Sequence, residues 1–131
     1  MKAITIEISG DPIPQPRARI TVRNGFANAY TPKDHPIHSY RMAIVLAWRA
    51  AVNMQFDGPL RVTMHFQFAR PKSSKRASHT VRPDVSNCIK GVEDALNGVA
   101  WGDDAQIVEL CGSKSYGTPR TLITVEQIKE A

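Results

Sequence analysis

Two groups of acids within residues 82–108 have the types and spacing for chemistry on a phosphate. Asp84 stands beside a proline, and Asp103 and Asp104 are adjacent in front of an apolar run. Adjacent aspartates repel each other unless a cation or a basic group lies near them. Mg²⁺ is commonly held by one or two carboxylates, with waters and phosphate oxygens completing its shell. The pattern favours a Mg²⁺ site if the chain between the two groups folds back on itself.

A helix over about residues 85–97 would connect the two groups of acids. Its apolar residues fall on one side, namely Val85, Cys88, Ile89, Val92, Ala95 and Leu96. On the opposite flank Asn87, Lys90 and Asp94 are spaced three and four residues apart, so they are neighbours along the helix. Asp84 stands at the N-terminus, where unpaired N–H groups favour an anion. Lys90 could then stabilise charge on a bound phosphate.

Each of these residues also has a purely structural interpretation. Asp84 could be only a helix cap, and Asp103 with Asp104 only a solvated turn. Lys90 and Asp94 could be a surface pair that contributes about 0.3–0.5 kcal/mol. Their occurrence together in one short stretch favours a shared chemical role.

The surrounding sequence predicts an α+β domain that would position this stretch. Period-two alternation of apolar residues indicates strands, and Asn24-Gly25 indicates a tight hairpin turn. We expect one domain over residues 1–131, with a mixed or antiparallel sheet and the two main helices packed on it. The predicted elements are a strand at Ala3–Ser9, a hairpin over 17–31, a helix over 37–53, a strand at Leu60–Phe68, the helix over 85–97, and strands over 106–115 and 121–128.

The first helix, over 37–53, is apolar on most of its sides. Met42, Leu46 and Val52 leave little polar surface beside its main apolar stripe. Such a helix needs cover on more than one side. A subunit partner would provide that cover, and deep burial within a monomer is the alternative.

The charge distribution suggests a polyanionic partner. The chain has 17 Lys plus Arg against 12 Asp plus Glu, a net charge of +5. Its basic residues concentrate in two segments, residues 12–33 and residues 70–82. Neither segment contains an acidic residue. These residues are Arg17, Arg19, Arg23 and Lys33 in the first segment and Arg70, Lys72, Lys75, Arg76 and Arg82 in the second. These side chains could contact phosphates or could simply be solvated. We expect residues 70–83 to be a mobile loop.

Cysteine content and hydropathy indicate the compartment. Cys88 and Cys111 are too few for a disulfide framework and lack a metal-ligand spacing. No run is long and apolar enough for a signal peptide or a membrane span. We therefore expect a cytoplasmic protein with no small-molecule cofactor beyond a metal ion.

Residues 82–108 resemble the signature of RusA-type Holliday-junction resolvases, which are small Mg²⁺-dependent endodeoxyribonucleases of bacteria and their prophages. Three submotifs carry the resemblance, in order and at the right intervals: Arg82-Pro-Asp84-Val-Ser-Asn87-Cys-Ile-Lys90, Asp94-Ala-Leu-Asn-Gly, and Asp103-Asp104-Ala-Gln106-Ile-Val. Weaker family features occur at Pro16-Arg17, Tyr30-Thr-Pro-Lys33 and His79. The resemblance thus covers most of the chain.

The resemblance implies a homodimer that binds a four-way DNA junction and nicks two opposed strands, in DNA recombination and repair. It implies catalytic roles for Asp84, Lys90 and Asp104, with Asp84 and Asp104 holding Mg²⁺ and Asn87 supporting the site. The basic residues of both segments would hold phosphates, mostly without reading sequence.

The chain departs from the family pattern at Ser86, where the pattern has an aspartate. A hydroxyl can hold a metal-bound water but carries no charge, so Mg²⁺ binding should weaken. Glu93 lies two turns below Ser86, about 10 Å along the helix, so we expect Asp103 rather than Glu93 to compensate. A junction-binding protein without catalysis is therefore the alternative function, and a basic RNA-binding domain is a third.

Overall fold

Two helices cover one face of a four-stranded mixed sheet. The computed structural model describes residues 2–130. In chain order the elements are β1 (Ala3–Ser9), β2 (Arg19–Arg23), β3 (Phe26–Tyr30), α1 (Ile37–Ala51), β4 (Leu60–Phe68), α2 (Val85–Leu96), a 3₁₀ turn (Asp104–Gln106), β5 (Ile107–Tyr116) and β6 (Arg120–Gln127). The predicted α+β fold with two main helices is confirmed, and every predicted strand and helix is found, with boundaries that differ by one or two residues.

The sheet has the strand order β1-β6-β4-β5. β4 pairs with β5 in parallel, while β6 is antiparallel to both β1 and β4. β5 and β6 therefore lie on opposite sides of β4 although they are consecutive in the chain. The short connection between them crosses the end of β4, where Gly117 N donates to Phe68 O at 2.9 Å.

The core lies between the sheet and the helices. In β4 the alternate residues Leu60, Val62, Met64 and Phe66 are fully buried, as the period-two pattern predicts. α1 buries Ile37, Tyr40, Ile44 and Trp48 against this layer. On its other side Met42 is 55% exposed and Leu46 is 57% exposed. This side of α1 is therefore open to solvent in a single chain.

The hairpin of β2 and β3 forms a separate two-stranded sheet. Its turn has Asn24 at φ 50° and Gly25 at φ 78°, the positive values that an Asn-Gly hairpin turn requires. Arg19 and Arg23 pair with Tyr30 and Phe26 across the strands, so these four side chains share one face of the hairpin. Phe26 is 74% exposed, and the face is open to solvent.

Two glycines allow other segments to approach α2 closely. A Cβ at Gly112 of β5 would lie 2.4 Å from Cδ1 of Ile89, and a Cβ at Gly91 would lie 3.3 Å from the carbonyl oxygen of Ile13. α2 is thus held between β5 and the connector formed by residues 10–18. Gln15 N in that connector donates to Asn87 O at 2.9 Å.

Within residues 2–130, neither helix has the length and the apolar composition needed to cross a membrane.

Candidate functional site

The N-terminus of α2 opens into a cleft of about 310 Å³. Asp84 occupies the N-cap position, yet its side chain makes no capping hydrogen bond. Arg17 from the connector and Arg82 from the second basic segment line the same cleft, together with Asn87. A carboxylate and two guanidinium groups therefore face one solvent-accessible space, which suits a phosphate approaching with a cation.

Lys114 of β5 holds the segment that precedes Asp84. Its ammonium donates to the carbonyl oxygens of Val81 at 2.6 Å and Pro83 at 2.9 Å. The peptide bond between Arg82 and Pro83 is cis. Sequence reasoning missed Lys114, because only the tertiary fold brings β5 beside this segment.

The connector on the other side of the cleft is held by α1. Arg41 of α1 donates to the side-chain oxygen of Gln15 and lies 3.5 Å from Asp94 of α2. Together with the bond between Gln15 and Asn87, these contacts fix the connector just before Arg17. The position of Arg17 in the cleft therefore depends on α1 as well as α2.

Asp104 is held near the C-terminal end of α2. The buried Trp101 donates from its indole Nε1 to Oδ1 of Asp104 at 2.7 Å. Trp101 itself forms a backbone bridge with Asn97, and its carbonyl accepts from Gly98 N at 2.7 Å. The loop after α2 thus turns back beside the C-terminal end of the helix, and the approach of the two groups of acids stays a prediction.

Lys90 lies near acids of α2 itself and is influenced by Asp104. Its ammonium is 3.2 Å from Oδ1 of Asp94. The hydrogen bond and charge of Asp94 raise the pKa of Lys90 first, and Glu93 and Asp104 raise it further. Lys90 is therefore a charged side chain whose closest acidic partner is Asp94.

Glu93 of α2 is half-buried, and burial raises the pKa of its carboxyl first, with Asp104 adding to the rise and Lys90 opposing it. It stands seven residues after Ser86, on the same side of α2. The prediction that it is too distant to replace a missing acid at position 86 stays a prediction.

Asp103 and Ser86 occupy less central positions. Oδ1 of Asp103 accepts from Ala105 N at 2.9 Å, and its backbone N–H donates to Oε1 of Gln106 at 3.1 Å. Asp103 therefore caps the 3₁₀ turn with one of its oxygens. Ser86 is exposed on the polar side of α2.

The remaining basic residues surround these groups on exposed segments. Arg19, Arg23 and Lys33 are exposed on or after the hairpin, and Arg70, Lys72, Lys75 and Arg76 are exposed in the segment after β4. Lys75 and Arg76 line a second groove of about 420 Å³. The buried ring of His79 anchors this segment between Phe68 and Tyr116, at centroid distances of 4.4 and 5.0 Å. Its mobility beyond that anchor stays a prediction.

The comparison with protein families decides the interpretation of this site. A family model described as Endodeoxyribonuclease RusA matches residues 9–126. The chain belongs to the RusA family. Its stretch from the connector to β6, including every element that builds the cleft, lies within the match. The family consists of endodeoxyribonucleases that act on branched DNA junctions.

The chain is also similar to a protein of Bacillus subtilis (strain 168) named Uncharacterized protein YqaN. The two are 30% identical over 141 residues, which covers 98% of this chain and 99% of that protein. The similarity therefore extends over the whole RusA-like chain rather than over one motif.

RusA-family nucleases are generally dependent on a divalent metal ion. Among residues 2–130, no three His, Cys, Asp or Glu side chains are grouped closely enough to hold a metal by themselves. Asp84 makes no capping bond, and Asp104 commits one oxygen to Trp101. Each carboxylate thus keeps oxygens free for a hard ion such as Mg²⁺, which takes one or two carboxylates and completes its shell with waters and phosphate oxygens.

The predicted site residues lie in two groups at different positions along α2. Asp84, Asn87, Arg17 and Arg82 share the cleft at the N-terminus of α2. Lys90 and Asp104 lie along its polar side toward the C-terminal end. Lys90 stands about one and two-thirds turns after Asp84 in α2 and so lies between the two groups in the chain.

Proposed function

We propose that this RusA-family protein is a Mg²⁺-dependent, structure-selective endonuclease that resolves Holliday junctions by nicking two opposed strands, in DNA recombination and repair. The observation that carries the proposal is the cleft at the N-terminus of α2. There the Asp84 carboxylate, free of a capping bond, meets Arg17 and Arg82 from two basic segments. A neutral metabolite would not need both a carboxylate and two guanidinium groups for its binding, whereas a DNA phosphate with a bound cation would.

The chain's own residues have separable roles in this proposal. Arg17 and Arg82 hold the phosphates on either side of the scissile bond. The N–H groups of the first turn of α2, which Asp84 does not cap, attract the same anion. Lys90 stabilises negative charge as it develops on the phosphate. Trp101 keeps the Asp104 carboxylate in one orientation.

Asp84 and Asp104 would hold the Mg²⁺ ion. When bound, the ion would lower the pKa of a coordinated water and polarise the phosphodiester. Asn87, in the cleft beside Asp84, offers an amide that can orient either the carboxylate or a water.

DNA would be bound over a wider surface by the hairpin and by the basic segment after β4. On the hairpin, Arg19 and Arg23 share a face with Phe26 and Tyr30. Guanidinium groups can contact phosphates there while the aromatic rings contact unstacked bases at the branch point. Such a surface favours junctions over linear duplex.

We propose a homodimer with one site per subunit, because a junction has two opposed strands to cut. The exposed side of α1, with Met42 and Leu46, supports an additional contact. A supercoiled plasmid with an extruded cruciform tests the symmetry. Wild-type dimers should linearise it, whereas mixed dimers with Asp84→Asn subunits should leave a nicked circle.

The decisive experiment is nicking of a synthetic four-way junction with Mg²⁺, with a linear duplex of the same sequence as the substrate control. Wild-type protein should nick the junction, Asp84→Asn and Asp104→Asn should not, and Glu7→Gln, at an exposed acid of β1 that pairs with Arg120, should retain activity. A second candidate, a junction-binding protein without catalysis, is favoured by the uncharged Ser86 at a family acid position. It predicts that wild type binds without nicking and that only Ser86→Asp nicks.

A further inference from the structure

The second groove, of about 420 Å³, borders the same segment of chain as the cleft at the N-terminus of α2. Val81 lines the groove, whereas Arg82 and Asp84 line the cleft. Asp84 follows Val81 by three residues, and three residues of even a fully extended chain span at most about 11 Å. The groove therefore lies within reach of a nucleic-acid strand whose phosphate occupies the cleft.

The lining of this groove combines apolar and cationic side chains. Its apolar lining consists of Pro71, Val81 and Tyr116, and Lys75 and Arg76 supply two cations. Among the described residues that line it, none is acidic. A free phosphate needs no apolar wall, and an apolar ligand needs no cations. A ligand with a flat apolar part and a negatively charged part, such as a nucleotide, matches both.

Contacts with neighbouring residues hold the apolar wall of the groove in place. The ring of Tyr116 packs against the buried ring of His79 at a centroid distance of 5.0 Å, and the guanidinium of Arg70 lies 5.6 Å from its centroid. The carbonyl of Val81 accepts a hydrogen bond from the Lys114 ammonium at 2.6 Å. The Val81 side chain is nonetheless 56% exposed. The wall is therefore already formed and open to a ligand.

The cationic side chains of the groove come from a turn that is closed by its own hydrogen bonds. Ser74 N donates to Pro71 O at 3.0 Å, and the side chain of Arg70 donates to the carbonyl of Arg76. Within residues 2–130, neither Lys75 nor Arg76 forms an ion pair with an acid. Both charges are therefore available to a phosphate.

We propose that the second groove binds one unstacked nucleotide of the DNA strand held in the cleft. Its base packs against Val81 and Tyr116, and its phosphate contacts Lys75 and Arg76. Contact of this kind tolerates any base, because every base has a π-face. Taking a base out of its stack costs least where the base is not fully paired and stacked, as at a branch point, so the groove favours junctions over linear duplex. The inference rests on the proposed function, because it assumes a DNA strand in the neighbouring cleft.

The test is photocrosslinking of four-way junctions that carry 5-iododeoxyuridine at a single position, moved stepwise along each strand from the branch point. A chelator in the reaction prevents nicking, and mass spectrometry identifies the crosslinked residue. We expect crosslinks to Tyr116 from positions beside the branch point and none from the same positions in a linear duplex. Tyr116→Phe, which keeps the ring, should retain them. Crosslinks that reach only the hairpin residues Phe26 and Tyr30, or that form equally on linear duplex, would overturn the inference.

A pair of valine variants makes the test specific. Val81→Ala removes part of the apolar wall without adding charge. Val108→Ala is the matched control, since Val108 is 61% exposed near the start of β5, whereas Tyr116 is the last residue of that strand. We expect Val81→Ala to reduce crosslinking to Tyr116 and to weaken junction binding by about 5-fold, the lower end of what one base contact contributes, while Val108→Ala changes neither. Equal effects of the two variants, with thermal unfolding showing both folded, would contradict the proposed contact.

Crosslinking and nicking are read separately. A chain that nicks junctions with Mg²⁺ but forms no crosslink in the groove overturns this inference and leaves the proposed function standing. Crosslinking in the groove by a chain that nicks no junction overturns the proposed endonuclease and leaves the groove as a nucleotide site. A single-stranded RNA that competes for the crosslink better than the junction does would assign the groove to RNA and overturn the inference.

Discussion

The indole Nε1 of Trp101 lies 2.7 Å from Oδ1 of Asp104 and donates a hydrogen bond to it. Trp101 is fully buried, whereas Asp104 is partly open to solvent. The bond thus connects the rigid core to a carboxylate of the proposed metal site. Partners of this kind fix the orientation of a metal ligand.

Replacing Trp101 with Phe should weaken metal binding as well as the fold. The substitution removes the donor and should lower Mn²⁺ affinity by about 10-fold, with a stability loss on the order of 1–3 kcal/mol. Trp48→Phe is the matched control, because Trp48 is equally buried but donates to Met54 O at 2.9 Å. Equal Mn²⁺ affinities in the two variants, measured by titration, would show that the Trp101 bond does not orient Asp104.

Replacing Lys114 with Met should loosen the segment before Asp84. Its two bonds to the carbonyls of Val81 and Pro83 would be lost, at a cost of about 1.5–3 kcal/mol because the donor is charged. Hydrogen exchange should become faster at residues 80–84, and junction nicking should fall. Lys2→Met, a change of the same type outside the cleft, should alter neither. Unchanged exchange in the Lys114 variant would contradict the proposed anchoring.

Replacing Gly112 with Ala should push α2 away from β5. The new Cβ would lie 2.4 Å from Cδ1 of Ile89, and overpacking of this kind costs about 1–3 kcal/mol. Urea unfolding measures the loss. Combining Gly112→Ala with Ile89→Val removes the clashing methyl group and should restore much of the stability. If the two losses simply add, the contact between Gly112 and Ile89 is not what limits their approach.

Replacing Arg17 with Ala should weaken binding to junctions of any sequence. The loss of one phosphate contact reduces the slope of log affinity against log salt by about one. Arg61→Ala is the control, because Arg61 is paired with Glu109 and Glu126 on the opposite face of the sheet. Gel shifts at several salt concentrations give both slopes. A slope that Arg17→Ala leaves unaltered would mean that this side chain does not contact the DNA backbone.

Cys88 and Cys111 should differ sharply in reactivity. Burial raises the pKa of the Cys88 thiol to about 11, whereas Cys111 is exposed. Iodoacetamide at pH 8 should modify only Cys111 in the folded protein and both in urea, as mass spectrometry can show. The folded-state pKa of Cys88 is above the unfolded value of about 8.5. Its contribution to stability is therefore present below pH 8.5 and lost as the pH rises to about 11, and Cys88→Ala should remove that part of the decline.

Local patterns were sufficient to predict the elements of this fold. Ile4, Ile6 and Ile8 alternate at period two and form β1, and Asn24-Gly25 forms the hairpin turn. Both signals act over a few residues, where backbone sterics and side-chain alternation decide the outcome. The same locality explains why the predicted helix ends were off by one or two residues, since capping depends on the surrounding contacts.

The relationships between elements were not predictable from the same patterns. Parallel pairing of β4 with β5 depends on the whole sheet. Lys114 contacts the carbonyl of Pro83 because that pairing places β5 beside the segment before α2. No local sequence pattern indicates this contact. The site roles of Asp84, Asp104 and Lys90 stay predictions, because they rest on the spacing of sequence motifs and not on contacts between these side chains in the fold.

The place of β6 between β1 and β4 has a consequence for synthesis of the protein. Ala3 pairs with Glu126, so β1 gains its sheet neighbour only when the last strand has been made. The connector that carries Arg17 begins at the end of β1, so the pairing of β1 with β6 adds a restraint to the contacts with α1 and α2 that fix the connector. On the ribosome this restraint forms only after β6 has emerged. Until then the candidate cleft of a growing chain lacks one of the contacts that hold Arg17 in place.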